Sequence, residues 1–203
     1  MQKIVLASSN QGKLREIQQV LAHLDMQLVP QSEFNVSDAD ETGLSFVENA
    51  IIKARHAART SGLPALADDS GLEVDALQGK PGIYSARFAG EKATDGDNIQ
   101  KLLSELEGVD SPQRSARFRC VLVYMRHADD PSPIIAEGSW EGFILDEQRG
   151  QNGFGYDPVF YIPEHQRAAA ELEPEVKNQH SHRARALAQL VERMRHQVSS
   201  ASN

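Results

Sequence analysis

A polar segment at residues 8–13 has the residue types that bind an anion. It joins a short apolar run to a helical pattern and consists of Ser8, Ser9, Asn10, Gln11, Gly12 and Lys13. Unpaired backbone N–H groups at the start of a helix attract phosphate, and the hydroxyl, amide and ammonium groups add donors. A Walker A loop differs, because it has an earlier glycine and a hydroxyl after the lysine. The segment predicts a phosphate-binding turn or, alternatively, an ordinary strand–helix turn.

Two adjacent aspartates, Asp68 and Asp69, follow an apolar pair and precede Ser70 and Gly71. Carboxylates at the end of a buried strand cost free energy unless they are exposed, paired or bound to metal. Successive side chains of a strand face opposite ways, so only one of the two acids should face a given site. Mg²⁺ usually takes one or two carboxylates together with substrate phosphates. The pattern predicts a magnesium site or, alternatively, a capped turn with solvated acids.

Asn49 and Lys53 lie four residues apart in a helical pattern, so they share a face and can reach one ligand. Glu41, in the acidic loop before that helix, is a candidate second metal ligand. The alternatives are a solvated helix face and a solvated loop.

A glycine-rich segment contains Gly153, Phe154, Gly155, Tyr156 and Asp157. Glycines let a backbone approach a flat ligand closely, and a phenylalanine ring offers the stacking surface that bases use. The Asp157 carboxylate can accept a hydrogen bond from a ring N–H. The alternative is a simple turn that enters the next strand.

Lys177 and the sequence Ser181-His182-Arg183 lie near the start of the last predicted helix. The lysine can meet phosphate, and the His-Arg pair offers donors to a base carbonyl or a phosphate. The alternative is a surface helix cap, with Ser181 as the capping residue.

Strands and helices interleave along the chain, which is typical of an α/β protein. Helical periodicity begins at residue 13, at the capping box of residues 45–48, at residue 98 and after residue 181. The predicted strands cover residues 4–7, 28–29, 66–67, 72–74, 117–125, 134–140, 143–145 and 159–162.

The composition excludes several classes of protein. The 203 residues include 21 Lys and Arg against 29 Asp and Glu, a net charge of −8. The 40% hydrophobic and 25% charged fractions are ordinary for a globular chain. The acidic balance disfavours binding to nucleic acid or an anionic membrane, although a small anionic ligand needs only local positive charge.

One cysteine, Cys120, rules out an intramolecular disulfide, and its apolar neighbours predict a buried core residue. No segment approaches the roughly 18 apolar residues of a membrane-spanning helix, and the N-terminus lacks the pattern of a secretory signal. We therefore expect a soluble cytoplasmic protein without a membrane partner.

The order of these motifs resembles the inosine/xanthosine triphosphate pyrophosphatase family, and the bacterial house-cleaning members most closely. The similarity runs from Lys3 into the last helix. The matching motifs are SNQGK at residues 9–13, FVENAIIKA at 46–54, DDSGL at 68–72, PGIYSAR at 81–87, GFGYDP at 153–158 and SHR at 181–183.

The resemblance implies a two-lobed α/β fold with a long central mixed β-sheet flanked by helices. This single domain would cover residues 1–198, with a frayed tail at residues 199–203, and would form a homodimer. The implied activity is Mg²⁺-dependent hydrolysis of dITP, ITP and XTP to the monophosphate and pyrophosphate, which keeps deaminated purines out of DNA and RNA.

The resemblance also implies roles for the candidate residues. Glu41 and Asp69 would hold the metal, with Asp68 as a further candidate, and Asp69 would activate the attacking water. The substrate would contact Ser8, Ser9, Asn10, Gln11, Gly12, Lys13, Lys53, Ser70, Phe154, Gly155, Tyr156, Asp157, Lys177, His182 and Arg183.

Two other functions stay open on the residues alone. A nucleotide-binding sensor would keep the pocket without turnover, although it would need no water-activating acids such as Glu41 and Asp69. The other is an enzyme of the same chemistry that acts on other nucleotides, such as modified pyrimidine triphosphates. A nucleic-acid-binding module is disfavoured by the net charge and by the lack of interleaved aromatic and basic residues.

Overall fold

A computed structural model describes residues 2–8, 13, 14, 17, 18, 21 and 26–200, without the side chains of residues 2 and 196–200. Four residues of the predicted phosphate-binding turn lie outside the described residues: Ser9, Asn10, Gln11 and Gly12.

The described strands form a mixed seven-stranded sheet in the order β2-β1-β3-β4-β5-β6-β7. β1 pairs in parallel with β2 and β3, whereas β6 pairs antiparallel with β5 and β7. The strands are β1 (Gln2–Ala7), β2 (Met26–Pro30), β3 (Ala65–Val74), β4 (Ser115–Met125), β5 (Ile134–Ile144), β6 (Phe160–Ile162) and β7 (Arg167–Ala168). The predicted α/β class with a mixed sheet is confirmed.

The helices agree with the periodicity of the sequence, with one addition. They are α1 (Phe46–Ser61), α2 (Asp95–Glu105), α3 (Pro174–His180) and α4 (His182–Ser200). The described residues between 13 and 21 also have helical backbone. Sequence reasoning missed α3, because its seven residues are too few to show a period. α4 includes Ser199 and Ser200, where the frayed tail was predicted to begin.

Two predicted breaks in strands are wrong. β3 runs unbroken through Asp68, Asp69 and Ser70, where a turn was expected, because both acids find cationic partners inside the fold. β5 likewise continues through Gly142, whose missing side chain leaves room for the backbone of Tyr161 on β6.

The chain divides into two compact units, each with its own apolar core. Unit 1 contains residues 1–69, 120–138 and 185–203, and unit 2 contains residues 70–119 and 139–184. The core of unit 1 includes Ile4, Leu66, Leu122 and Leu187, and that of unit 2 is built around Trp140 and Phe160. In the described part of the chain, no helix is long and apolar enough to cross a membrane.

A capping box starts α2 and gives a test of local stability. The Asp97 carboxylate accepts the Thr94 N–H at 2.8 Å, and Thr94 Oγ1 accepts the Asp97 N–H at 3.2 Å. Thr94→Ala should therefore lower the free energy of unfolding by about 1 kcal/mol in urea denaturation. Thr94→Ser keeps the hydroxyl and should behave like the wild type. Equal losses in both variants would contradict the cap.

Candidate active site

Unit 1 holds a lysine ammonium between two carboxylates. Lys53 lies two turns into α1, which starts after the Ser45 cap, and Asp69 lies in the middle of β3. Lys53 Nζ is 2.7 Å from Asp69 Oδ1 and 3.0 Å from Glu41 Oε1. Burial disfavours the charged lysine, yet the attraction of the nearby acids, Asp69 first, raises the pKa of Lys53 above its ordinary value.

Asp69 keeps one carboxylate oxygen available. Burial raises the pKa of Asp69 above its ordinary range, although the ammonium of Lys53 opposes the rise. The second oxygen, Oδ2, is buried and has no hydrogen-bond partner among the described residues. Because an unpaired buried acceptor costs free energy, this oxygen is suited to receive a proton, a water or a cation.

The acids of unit 1 fit a hard cation that needs few protein ligands. Glu41 and Asp69 both reach the ammonium of Lys53, so their oxygens converge on one small region. The described residues contain no cluster of three or more His, Cys, Asp or Glu that would form a complete metal site. Mg²⁺ commonly completes its shell with water and substrate phosphates, so the donor set suits Mg²⁺.

Asp68 faces other partners than its neighbour, as the alternation of strand side chains predicts. Its fully buried carboxylate pairs through Oδ1 with Lys13 Nζ, and its Oδ2 accepts a hydrogen bond from Cys120 Sγ at 3.3 Å. Asp68 thus holds the last residue of the predicted phosphate-binding turn. Ser8, the first residue of that turn, follows β1 directly and is half-buried. Cys120 is buried as predicted.

Asn49 fixes the loop that contains Glu41 and leads into α1. Its buried side chain accepts the Gly43 N–H through Oδ1 at 2.9 Å, and Glu48 accepts the Leu44 N–H at 3.0 Å. A Cβ at Gly43 would lie only 2.7 Å from Asn49 Oδ1, so the loop needs a glycine there. The sequence predicted that Asn49 shares a ligand with Lys53, and its described contact is with this loop.

In unit 2, the glycine loop (residues 153–157) wraps around the carboxylate of Asp157. Asp157 Oδ2 accepts the Phe154 N–H at 2.9 Å and pairs with Lys177 Nζ. A side chain at Gly153 would collide with the same carboxylate. Both Asp157 and Lys177 are buried, so the acid fixes the lysine as well as the loop.

Phe154 is the exposed aromatic residue of the glycine loop. The residue is 41% exposed, and Lys177 Nζ lies 4.6 Å from the centroid of its ring. Tyr156, two residues on, is buried and donates its hydroxyl to the Ser85 carbonyl at 2.8 Å. Burial raises the pKa of Tyr156, so this hydroxyl stays protonated and keeps donating. The loop can therefore offer a supported aromatic face to a flat ligand.

The start of α4 adds a second group of candidate residues to unit 2. The His182 ring stacks on Phe118, with centroids 4.9 Å apart and planes 17° apart. Arg183 is buried and approaches Ser70 Oγ at 3.5 Å. Neither Phe118 nor Ser85 is among the predicted site residues: an apolar residue in a strand carries no signal by itself, and Ser85 appears only as part of the motif at residues 81–87.

Similarity to known proteins extends over nearly the whole chain. A family model described as Ham1 family matches residues 4–193. The chain belongs to the Ham1 family. The dITP/XTP pyrophosphatase of Vibrio vulnificus strain YJ016 is 62% identical over 197 residues, which cover 97% of this chain and 98% of the relative. The dITP/XTP pyrophosphatase of Coxiella burnetii is 58% identical and covers 94% of this chain and 95% of its own. The resemblance drawn from the motifs is therefore confirmed.

Solved structures of Ham1 proteins share the fold. A HAM1 protein from Coxiella burnetii superposes with a TM-score of 0.92 at 56% identity, covering 97% of this chain and 100% of its own. The Staphylococcus aureus Ham1 protein gives a TM-score of 0.87 at 42% identity, over 96% and 99% of the two chains.

The charges around Asp69 can be tested one at a time. Lys53→Met removes the cation that opposes the raised pKa of Asp69, so that pKa should rise further. Glu41→Gln is the matched control of opposite sign, because Glu41 repels the ionised form of Asp69, and it should lower the pKa. Carbon-13 NMR titration of the carboxyl groups measures both. A pKa that is unchanged in both variants would contradict the three-group cluster.

Proposed function

We propose that this chain is a Mg²⁺-dependent nucleoside triphosphate pyrophosphohydrolase that converts dITP, ITP and XTP to the monophosphate and pyrophosphate. The observation that carries the proposal is the cluster of Glu41, Lys53 and Asp69, in which Asp69 Oδ2 lacks a partner among the described residues. The name dITP/XTP pyrophosphatase, which relatives of 62% and 58% identity bear, supports the substrate class.

In this mechanism, the oxygen of a water molecule attacks the α-phosphorus. Asp69 accepts the proton of that water at Oδ2, the bond from the α-phosphorus to its bridging oxygen breaks, and pyrophosphate leaves. Glu41 and Asp69 would hold Mg²⁺, which, when bound, offsets phosphate charge and makes the water more acidic. Lys53 keeps Asp69 in place through its bond to Oδ1.

Two further lysines are assigned to the phosphates. Lys13 is held by Asp68 and Lys177 by Asp157, so each ammonium is oriented before the substrate arrives. Phosphoryl transfer depends mostly on positioning and on electrostatic stabilisation. Oriented cations supply both without reorganisation during the reaction.

The residues of unit 2 suit recognition of the base. Phe154 would stack on the purine, and His182 and Arg183 would donate hydrogen bonds to O6 of hypoxanthine or xanthine. Adenine has an amino group at that position and would leave those donors unpaired, which discriminates strongly. Guanine keeps O6, so its exclusion would depend on its 2-amino group.

We also propose that the enzyme acts in the cytoplasm and that it forms a homodimer, the state that the family resemblance implies. Light scattering of the purified protein should then give twice the mass of one chain, whereas the mass of a monomer would refute the dimer.

Pyrophosphate release across a nucleotide panel tests the function. With Mg²⁺, the wild type should hydrolyse ITP, dITP and XTP on the order of a hundredfold faster than ATP or GTP. Equal rates with GTP and ITP would refute the selectivity, and faster hydrolysis of modified pyrimidine triphosphates would support a different substrate class. Binding of ITP without release of pyrophosphate would favour the sensor.

Asp69→Asn is the matched variant in the same assay. It keeps the shape of the side chain and removes the proton acceptor, so kcat should fall by on the order of a hundredfold or more, with an unchanged circular dichroism spectrum. Turnover near that of the wild type would remove Asp69 from the mechanism.

A further inference from the structure

The glycine loop of unit 2 contains two glycines, whose backbone is conformationally permissive. Gly153 and Gly155 adopt φ angles of +79° and +60°, in the left-handed region. Glycine reaches this region at no steric cost, but it has more conformational freedom to lose than any other residue. Phe154 lies between the two glycines, so its position depends on the hydrogen bonds that restrain the loop, one within the loop and others to residues outside it.

Three successive residues of the loop are restrained by three different acceptors. The Phe154 N–H donates to Asp157 Oδ2 at 2.9 Å, and the Tyr156 hydroxyl donates to the Ser85 carbonyl at 2.8 Å. Between them, the Gly155 N–H donates to Asp95 Oδ2 at 2.7 Å. The first two restraints involve buried side chains, whereas Asp95 is exposed on the first turn of α2.

The capping box of α2 does not use the carboxylate of Asp95. The capping box of this helix is formed by Thr94 and Asp97, and the Asp97 carboxylate takes both the N–H and the hydroxyl of Thr94. Asp95 instead reaches a residue 60 positions away in the chain. A charged acceptor makes a stronger hydrogen bond than a neutral one, so the carboxylate of Asp95 restrains the position of Gly155 in the middle of the loop.

We propose that Asp95 is a positioning residue that fixes Gly155, and through it Phe154, for binding of the nucleobase. The proposal rests on the proposed function, since it assigns the loop to the base. The hydrogen bond of Asp95 is to Gly155, whereas Lys177, which is assigned to the phosphates, is held by the buried Asp157. The loss of Asp95 should therefore weaken substrate binding and leave the chemical step unchanged.

The kinetic test compares variants of two acids on the same helical turn. Asp95→Ala should raise KM for ITP by about tenfold, the effect of losing one hydrogen bond to a charged group, and should leave kcat within about twofold. Asp95→Asn keeps an oxygen acceptor and should recover part of the loss. Asp97→Asn removes the same charge from the same turn and should leave KM unchanged.

A second measurement needs no substrate. Hydrogen exchange of a peptide that covers residues 151–158 should be faster in Asp95→Ala than in the wild type, and unchanged in Asp97→Asn. Exchange at the wild-type rate in Asp95→Ala would overturn the restraint. Faster exchange with an unchanged KM, or an equal rise of KM in Asp97→Asn, would overturn the positioning role.

The two measurements also separate this proposal from the proposed function. If the wild type hydrolyses no nucleotide, the proposed function fails, and with it the assignment of the loop to a base. The exchange experiment then still decides whether Asp95 restrains Gly155.

Discussion

Two adjacent carboxylates inside a buried strand are the constraint on which the site depends. Asp68 and Asp69 are consecutive in β3 and both are buried, and an unpaired charge at such a depth costs several kcal/mol. Strand geometry sends them to opposite faces, so two lysines from different elements must meet them. Lys13 and Lys53 do so, and charge as well as apolar packing therefore fixes the helical segments that carry these lysines.

A buried acid that pairs with a lysine also occurs in unit 2, where Asp157 holds Lys177. In all three pairs, an acid of the fold orients a cation that suits a phosphate. Some of the 29 acids therefore serve to place positive charge, and because each such pair is neutral it does not contribute to the net charge of −8. Among the described residues, Asp69 Oδ2 has no hydrogen-bond partner, and stability alone does not account for this, since an unpaired buried acceptor costs free energy. Such unsatisfied groups are kept where function needs them.

Much of the fold follows from local pattern, and the errors have a common cause. Capping at Ser45 and apolar periodicity predict α1 well, because these signals are contained in a few consecutive residues. The unbroken course of β3 through Asp68 and Asp69 was not predictable, because the lysines that neutralise them are distant in the chain. The predicted break of β5 at Gly142 has the same cause. The strand whose backbone occupies the space of the missing side chain, β6, comes later in the sequence.

The candidate site residues likewise divide into those that local motifs predict and those whose role depends on distant parts of the chain. Motifs identify Glu41, Lys53 and Asp69 by type and order, but only the structure shows that one ammonium lies between the two acids. Asp95 belongs to none of the motifs, because its role depends on a contact with a loop 60 residues away in the sequence. Residues that act by holding other residues are the ones that sequence reasoning misses.

The proposed reaction depends on attack of water at the α-phosphorus. Hydrolysis of ITP in water enriched in oxygen-18, followed by mass spectrometry of both products, tests it most directly. The account predicts one labelled oxygen in the nucleoside monophosphate and none in the pyrophosphate. Label in the pyrophosphate would contradict it, because the water would then have attacked the β-phosphorus.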